Sequence, residues 1–260
     1  MAIQGKTVSG SYKDILTVSN SNTGVDATTR NVMSGDGSTS GLHVSTNNTL
    51  IKSATNTTTA LQVQNADGTN LLQVDTTNST VKALGHELNM NIKEFSMSSG
   101  SSKPSTTDTW TALLSNGAGR APAFIEMGTG GTPATSLTIS TTGDDLVLQM
   151  WYVPFNITIK DVYVWFGADA ASGDTVKFSV MAYDIDDDNG STGGDLSNGV
   201  EHCASASTIA GAGYEQAYYQ RISPSTANVA SGKALMAFVH QDGTNADLSV
   251  NMQIVYNLRI

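Results

Sequence analysis

The densest run of chemically capable side chains in this 260-residue sequence is Asp184-Ile185-Asp186-Asp187-Asp188-Asn189-Gly190, followed by Asp195. Alternating carboxylates on a tight turn can offer the roughly six to eight oxygens that calcium takes. That makes Asp184, Asp186, Asp188 and Asp195 the candidate metal ligands and calcium the candidate cofactor. The spacing departs from a helix–loop–helix calcium site: counted from Asp184, Asn189 stands where glycine belongs and Asp195 where a bidentate glutamate belongs. A solvated acidic loop between strands accounts for the same residues without an ion.

Other reactive groups are sparse. Cys203 is the single cysteine, so no intramolecular disulfide forms, and His202-Cys203 has no second pair of soft ligands at finger-like spacing. Both are expected to be structural. No serine lies in a Gly-x-Ser-x-Gly elbow, and His43 and His86 lie in or near a repeated segment. The glycine runs 117–119 and 128–131 do not join a strand to a helix in a phosphate-binding pattern. No enzymatic activity is expected, although carboxylate pairs for glycoside cleavage are defined by separation in space and stay open at this stage. Aromatic faces bind sugar rings, and Tyr214, Tyr218 and Tyr219, beside Gly213, Glu215 and Gln216, are the candidate glycan contacts. The remaining aromatics, Trp151, Tyr152, Trp165 and Tyr183, are expected in the core or at subunit interfaces.

The elements that must position these groups are strands. Charged residues make up only 14% of the chain, and the polar remainder is rich in Thr, Ser, Asn and Gly, a bias towards strands and turns. The formal charge of −10 would repel a phosphate backbone and an anionic membrane face, so neither nucleic acid nor membrane insertion is expected. The start, MAIQGKTVSGSYK, lacks the apolar centre of a secretion signal, which suggests a soluble, uncleaved product.

A unit recurs through the first third. Leu42-His43-Val44 followed by Ser45 to Lys52 aligns with Leu72-Gln73-Val74 followed by Asp75 to Lys82, and weaker copies sit at Leu16-Thr17-Val18 and Leu61-Gln62-Val63. Asp67-Gly68 between two alternating runs signals a hairpin. Strands that alternate Leu and Val with Gln and Thr have one apolar face, and small β-units cannot cover such a face alone. Three or four units without polar end-caps favour intertwined chains over a solenoid, most simply a trimer. Leu42, Val44, Leu61, Val63, Leu72, Val74 and Val81 would then form its core.

His86 to Met97 reads as one more strand, and the Ser/Thr stretch 98–109, broken by Pro104, as the domain boundary. Residues 117–131 read as a loop anchored by Phe124, Ile125 and Met127. Beyond Thr135, strands are expected at 137–139, 146–153, 157–166, 175–183, 214–222, 234–240 and 248–258, enough for a two-sheet sandwich or jelly roll. The last alternates Leu248, Val250, Met252, Ile254, Tyr256 and Leu258 without a miss, which places the C-terminal residues inside the fold. Between Ile159 and Val162 the alternation changes phase, which predicts a bulge.

Residues 12–50, the repeat ALQVQNADGTNLLQVDTTNSTVKALG and the Asp/Gly hairpin of residues 183–199 together resemble fibre proteins of bacteriophages, of the tail or head fibre kind found in marine phages. The resemblance implies an all-β homotrimer. Residues 1–98 would form a virion-attachment segment and β-repeat shaft intertwined between chains, 99–134 a linker, and 135–260 a jelly-roll-like sandwich head. It also implies partners in capsid or tail proteins, adhesion to host surface glycan or protein, and residence in a virion assembled in the host cytoplasm. A capsid decoration or cement protein is the alternative, and a glycan-cleaving spike enzyme the third reading.

Overall fold

A computed structural model describes residues 16–20, 23–97, 108–115, 123–140, 143–168, 175–187, 190–206, 208–209, 216–241 and 248–259. The chain is all-β, with one helix among the described residues, and divides into two compact units, Met1–Asn89 and Met90–Ile260.

In the first unit, β1 (Leu16–Val18), β2 (Arg30–Ser34), β3 (Thr39–Val44) and β4 (Thr49–Ile51) form one antiparallel sheet in chain order. A second sheet repeats the arrangement with β5 (Leu61–Gln64), β6 (Asn70–Asp75), β7 (Thr80–Ala83) and β8 (His86–Glu87). The sequence repeat is therefore a structural one, in which β2–β3–β4 corresponds to β5–β6–β7. Both copies carry the same latch, since Thr46 N donates to the Asp26 carbonyl and Thr76 N to the Thr57 carbonyl. Each third strand is entered through a turn capped by a side chain: Asn48 N donates to Ser45 Oγ at 3.0 Å, and Asn78 N to Asp75 Oδ1 at 2.9 Å. The hairpin expected at Asp67-Gly68 joins β5 to β6. Asn65 Oδ1 accepts from Asp67 N and Thr69 N, and Gly68 supplies a φ of 80° that a Cβ would oppose.

In the second unit, the strands are β9 (Met90–Met97), β10 (Thr109–Ala112), β11 (Trp151–Tyr152), β12 (Ile157–Ala168), β13 (Thr175–Ile185), β14 (Leu196–Ala204), β15 (Thr208–Ile209), β16 (Gln216–Ile222), β17 (Asn228–Val229), β18 (Ala234–Gln241) and β19 (Leu248–Leu258). Two antiparallel sheets result. The outer one runs β16-β12-β19-β9 with β17 on β12, and the central one runs β10-β18-β13-β14 with β11 on β18 and β15 on β13. Their facing sides bury one cluster, in which Phe95, Val162, Val164, Phe166, Met252 and Ile254 meet Phe178, Val180, Leu235 and Val239.

The central sheet is covered on its other side as well. Trp110, Met181, Tyr183, Met236 and Phe238 pack there against Ile125, Met127 and Leu146, so every residue of β18 is buried. Ile125 and Met127 thus anchor their loop as expected, with Phe124 half-buried against the first cluster. Gln149 pins that layer: its Oε1 accepts from Ile125 N, and its Nε2 donates to the carbonyls of Ala123 and Asp145. A buried amide with all its groups matched costs little, whereas a half-matched one costs much.

Several expectations change. Leu146 to Gln149 is not strand but the end of helix α1 (Gly143–Gln149), whose first turn holds Asp144 and Asp145. Carboxylates there oppose the positive end of the helix dipole, and a short apolar run does not distinguish a buried strand from a buried helix. Leu137 makes only an isolated bridge to Leu196. The segment His86 to Met97 breaks after Glu87, and β9 pairs along its length with β19, so the division between compact units falls at Asn89/Met90, ahead of the Ser/Thr stretch. The bulge expected in β12 is present, as a register shift between Ile159 and Asp161 against β19.

Candidate functional site

Residues directly opposite in an antiparallel pair point to the same face of the sheet. In the second sheet of the first unit Val74 stands opposite Leu61 on one side and Val81 on the other, and Leu72 stands opposite Val63 and Ala83. Leu61, Val63, Leu72, Val74 and Val81 therefore share one apolar face. Leu42 is paired with Ile51 and Val44 with Thr49 in the first sheet, which gives that sheet a smaller face of the same kind. Ile51, Leu61 and Val74 also border a cleft of about 300 Å³.

None of these side chains is buried. Leu42, Val63 and Val81 are exposed, Val63 by 47%, and Val44, Leu61, Leu72 and Val74 are half-buried. Every buried apolar residue described lies at or beyond Phe95. The only buried side chains described in the first unit are polar, Asp75 and Thr80. Among its described residues the first unit thus has the pattern of a β-protein without the apolar core that such a pattern ordinarily fills.

The acidic segment is occupied with holding strands together. Asp184 pairs with Lys233 and accepts from Asn198 Nδ2 at 2.9 Å, and these two partners hold its carboxyl below the usual carboxylate range. Asp195 Oδ1 accepts from Ile139 N at 2.6 Å. Asp186 bonds through its backbone to Asp195 and Gly194, while Asp188 lies outside the described residues. Among the described residues no three His, Cys, Asp or Glu side chains gather as a metal site. A carboxylate neutralised by a lysine and another turned onto a backbone amide do not fit a calcium cage, which needs convergent free oxygens.

His202 and Cys203 are both buried on β14. His202 Nδ1 donates to the Thr226 carbonyl at 2.6 Å, and desolvation pushes its imidazole below the ordinary histidine value. Burial, then the nearby Glu201 and Asp161, push the Cys203 thiol up to about 12. A thiol held protonated in an apolar core is inert rather than nucleophilic.

The aromatics divide by strand parity. Tyr218 stacks on Phe166 at 5.2 Å and packs against the core, whereas Tyr219, one residue on, is 51% exposed. Tyr214 lies outside the described residues. Tyr219 stands opposite Trp165, itself 55% exposed, with ring centroids 4.9 Å apart, and Tyr163 stacks on Tyr219 from 6.3 Å. Beside them Arg221 donates twice to Asp161, at 2.7 and 2.9 Å, and its guanidinium carbon lies 5.9 Å from the Tyr163 ring. Trp165, expected in the core or at a subunit interface, is not in the core of this chain, and Tyr163 was not among the expected site residues. Both were marked by Val162-Tyr163-Val164-Trp165-Phe166, where the buried aliphatic positions alternate with the rings and send them to the opposite face.

Among the described residues no helix is long and apolar enough to cross a membrane. No known family model and no curated protein matches the sequence.

Proposed function

We propose that the chain is a structural protein of a bacteriophage particle: a homotrimeric fibre, attached to the virion through its N-terminal part and presenting the sandwich for adhesion to the host surface. One observation carries the proposal. The second sheet of the first unit aligns Leu61, Val63, Leu72, Val74 and Val81 on one face, and none of the five is buried. Leaving such faces in water forgoes about 25 cal/mol per Å² of apolar surface, so a stable form supplies a cover. Identical chains are the simplest cover, because the same face on each copy can close around a common axis. The resemblance of the repeat to phage fibre shafts supports the virion setting, and the well-filled core of the second unit supports a head that folds on its own side chains. Adhesion is tested on particles assembled without the chain. They are expected to keep heat-stable heads and lose adsorption; loss of head stability with adsorption intact would instead make the chain a cement protein.

A further inference from the structure

We propose that the outer face of the β16-β12-β19-β9 sheet binds neutral pyranose sugars of a cell-surface polysaccharide, with Trp165 and Tyr219 as the stacking floor. The inference rests on the adhesive part of the function proposed above. Strand register builds the face in rows. Tyr219, Trp165, Asn251 and Ser96 lie opposite one another across the four strands, and Arg221, Tyr163, Gln253 and Glu94 form the next row. The inward alternates, Val162, Val164, Phe166, Met252 and Ile254, fill the core, so the sheet fixes the outward ones on a rigid support.

A pyranose ring offers polarised C–H bonds on one face, which suit the electron-rich face of an indole or phenol, and a rim of hydroxyls that need donors and acceptors in the ring plane. The rows provide both. Asn251 sits beside Trp165 and Gln253 beside Tyr163, each an amide able to donate and accept. The polar side chains are already oriented, since Gln253 Nε2 donates to Glu94 Oε1 at 3.0 Å and Arg221 is held in a two-bond pair by Asp161. Pre-set groups lower the ordering cost of binding.

Charge selects among occupants. Asp161 neutralises Arg221, Glu94 adds a negative charge, and the chain carries −10 in all, which disfavours an anionic polysaccharide. A protein partner, or a second copy, favours an interface centre depleted of charge. Here two carboxylates, the kind of side chain depleted at interface centres, stand beside the rings: Glu94 in the row of Tyr163, and Asp161 bound to Arg221 of that row.

The test is native electrophoresis of the full chain through gels containing dextran, mannan, amylose or galactan, with alginate as the anionic counterpart. Light scattering is run on the same samples. Retardation by at least one neutral polymer is expected, about tenfold weaker for Trp165→Ala and for Tyr219→Ala, and largely kept by Trp165→Phe, with the mass unchanged. Should Trp165→Ala not fold, Tyr219→Ala and Asn251→Ala decide the matter. No retardation by any neutral polymer, retardation by alginate alone, or equal retardation of wild type and alanine variants overturns the inference. A mass that falls in Trp165→Ala also overturns it and assigns the face to contacts between copies. A trimer that binds no sugar removes this inference and leaves the fibre proposal standing, while a monomer that binds sugar does the reverse.

Discussion

Gly199 shows how much a single position can decide. A Cβ there would lie 2.5 Å from the Tyr183 ring and 2.9 Å from Thr135 Cα, closer than real contacts permit. Tyr183 cannot retreat, because it is fully buried and its hydroxyl donates to the Ala134 carbonyl at 2.9 Å. Gly199→Ala should therefore destabilise the sandwich by roughly 1–3 kcal/mol, seen as a lower urea midpoint with unchanged slope. His202 makes a prediction in pH. Desolvation holds its folded-state value below the ordinary histidine value of about 6.5, so the unfolded chain takes up a proton first as pH falls. The stabilisation is complete above about 6.5 and is lost as pH drops from there towards the folded value. Relative to wild type, His202→Gln should show a flatter decline in unfolding free energy across that window; identical pH profiles would contradict this account.

At the scale of elements, the second sheet of the first unit carries an apolar face whose side chains are not buried among the described residues. Val74 is at the centre of it, between Leu61 and Val81. If copies of the chain cover that face, Val74→Asp places an unpaired charge among apolar neighbours at a cost of several kcal/mol. The expected result is loss of assembly at micromolar concentration while the thermal transition of the sandwich persists, and Leu72→Asp should behave alike. Strand positions were legible in the sequence where apolar and polar residues alternate cleanly: β19 was readable to the residue and the β12 bulge from its change of phase, because alternation is the direct imprint of a half-buried strand. The helix α1 was not, since Leu146, Val147 and Leu148 form a run without period. Nor was β14 (Leu196–Ala204), which carries Asn198, Gly199 and Glu201 and owes its place to pairing with β13 rather than to its own pattern. In β9 the visible alternation of Met90 and Ile92 marks the outward face, and the core side chains are Phe95 and Met97. Of the expected sites, the apolar face was legible because the repeat displays it. The aromatic face was legible only in part, since Tyr219 and Tyr218 differ by parity and that parity is fixed by pairing to β12.

For the whole molecule, the contrast between the two units sets the expectation. One fills its core from both sides of a central sheet, and the other has apolar faces and, among its described residues, no buried apolar side chain. The most direct measurement is the mass of the chain in solution by light scattering at micromolar concentration, paired with hydrogen exchange over residues 16–89. The trimeric account predicts three times the 27.1 kDa chain mass, with slow exchange in β5, β6 and β7. A 27.1 kDa species whose β5, β6 and β7 amides remain protected would contradict it.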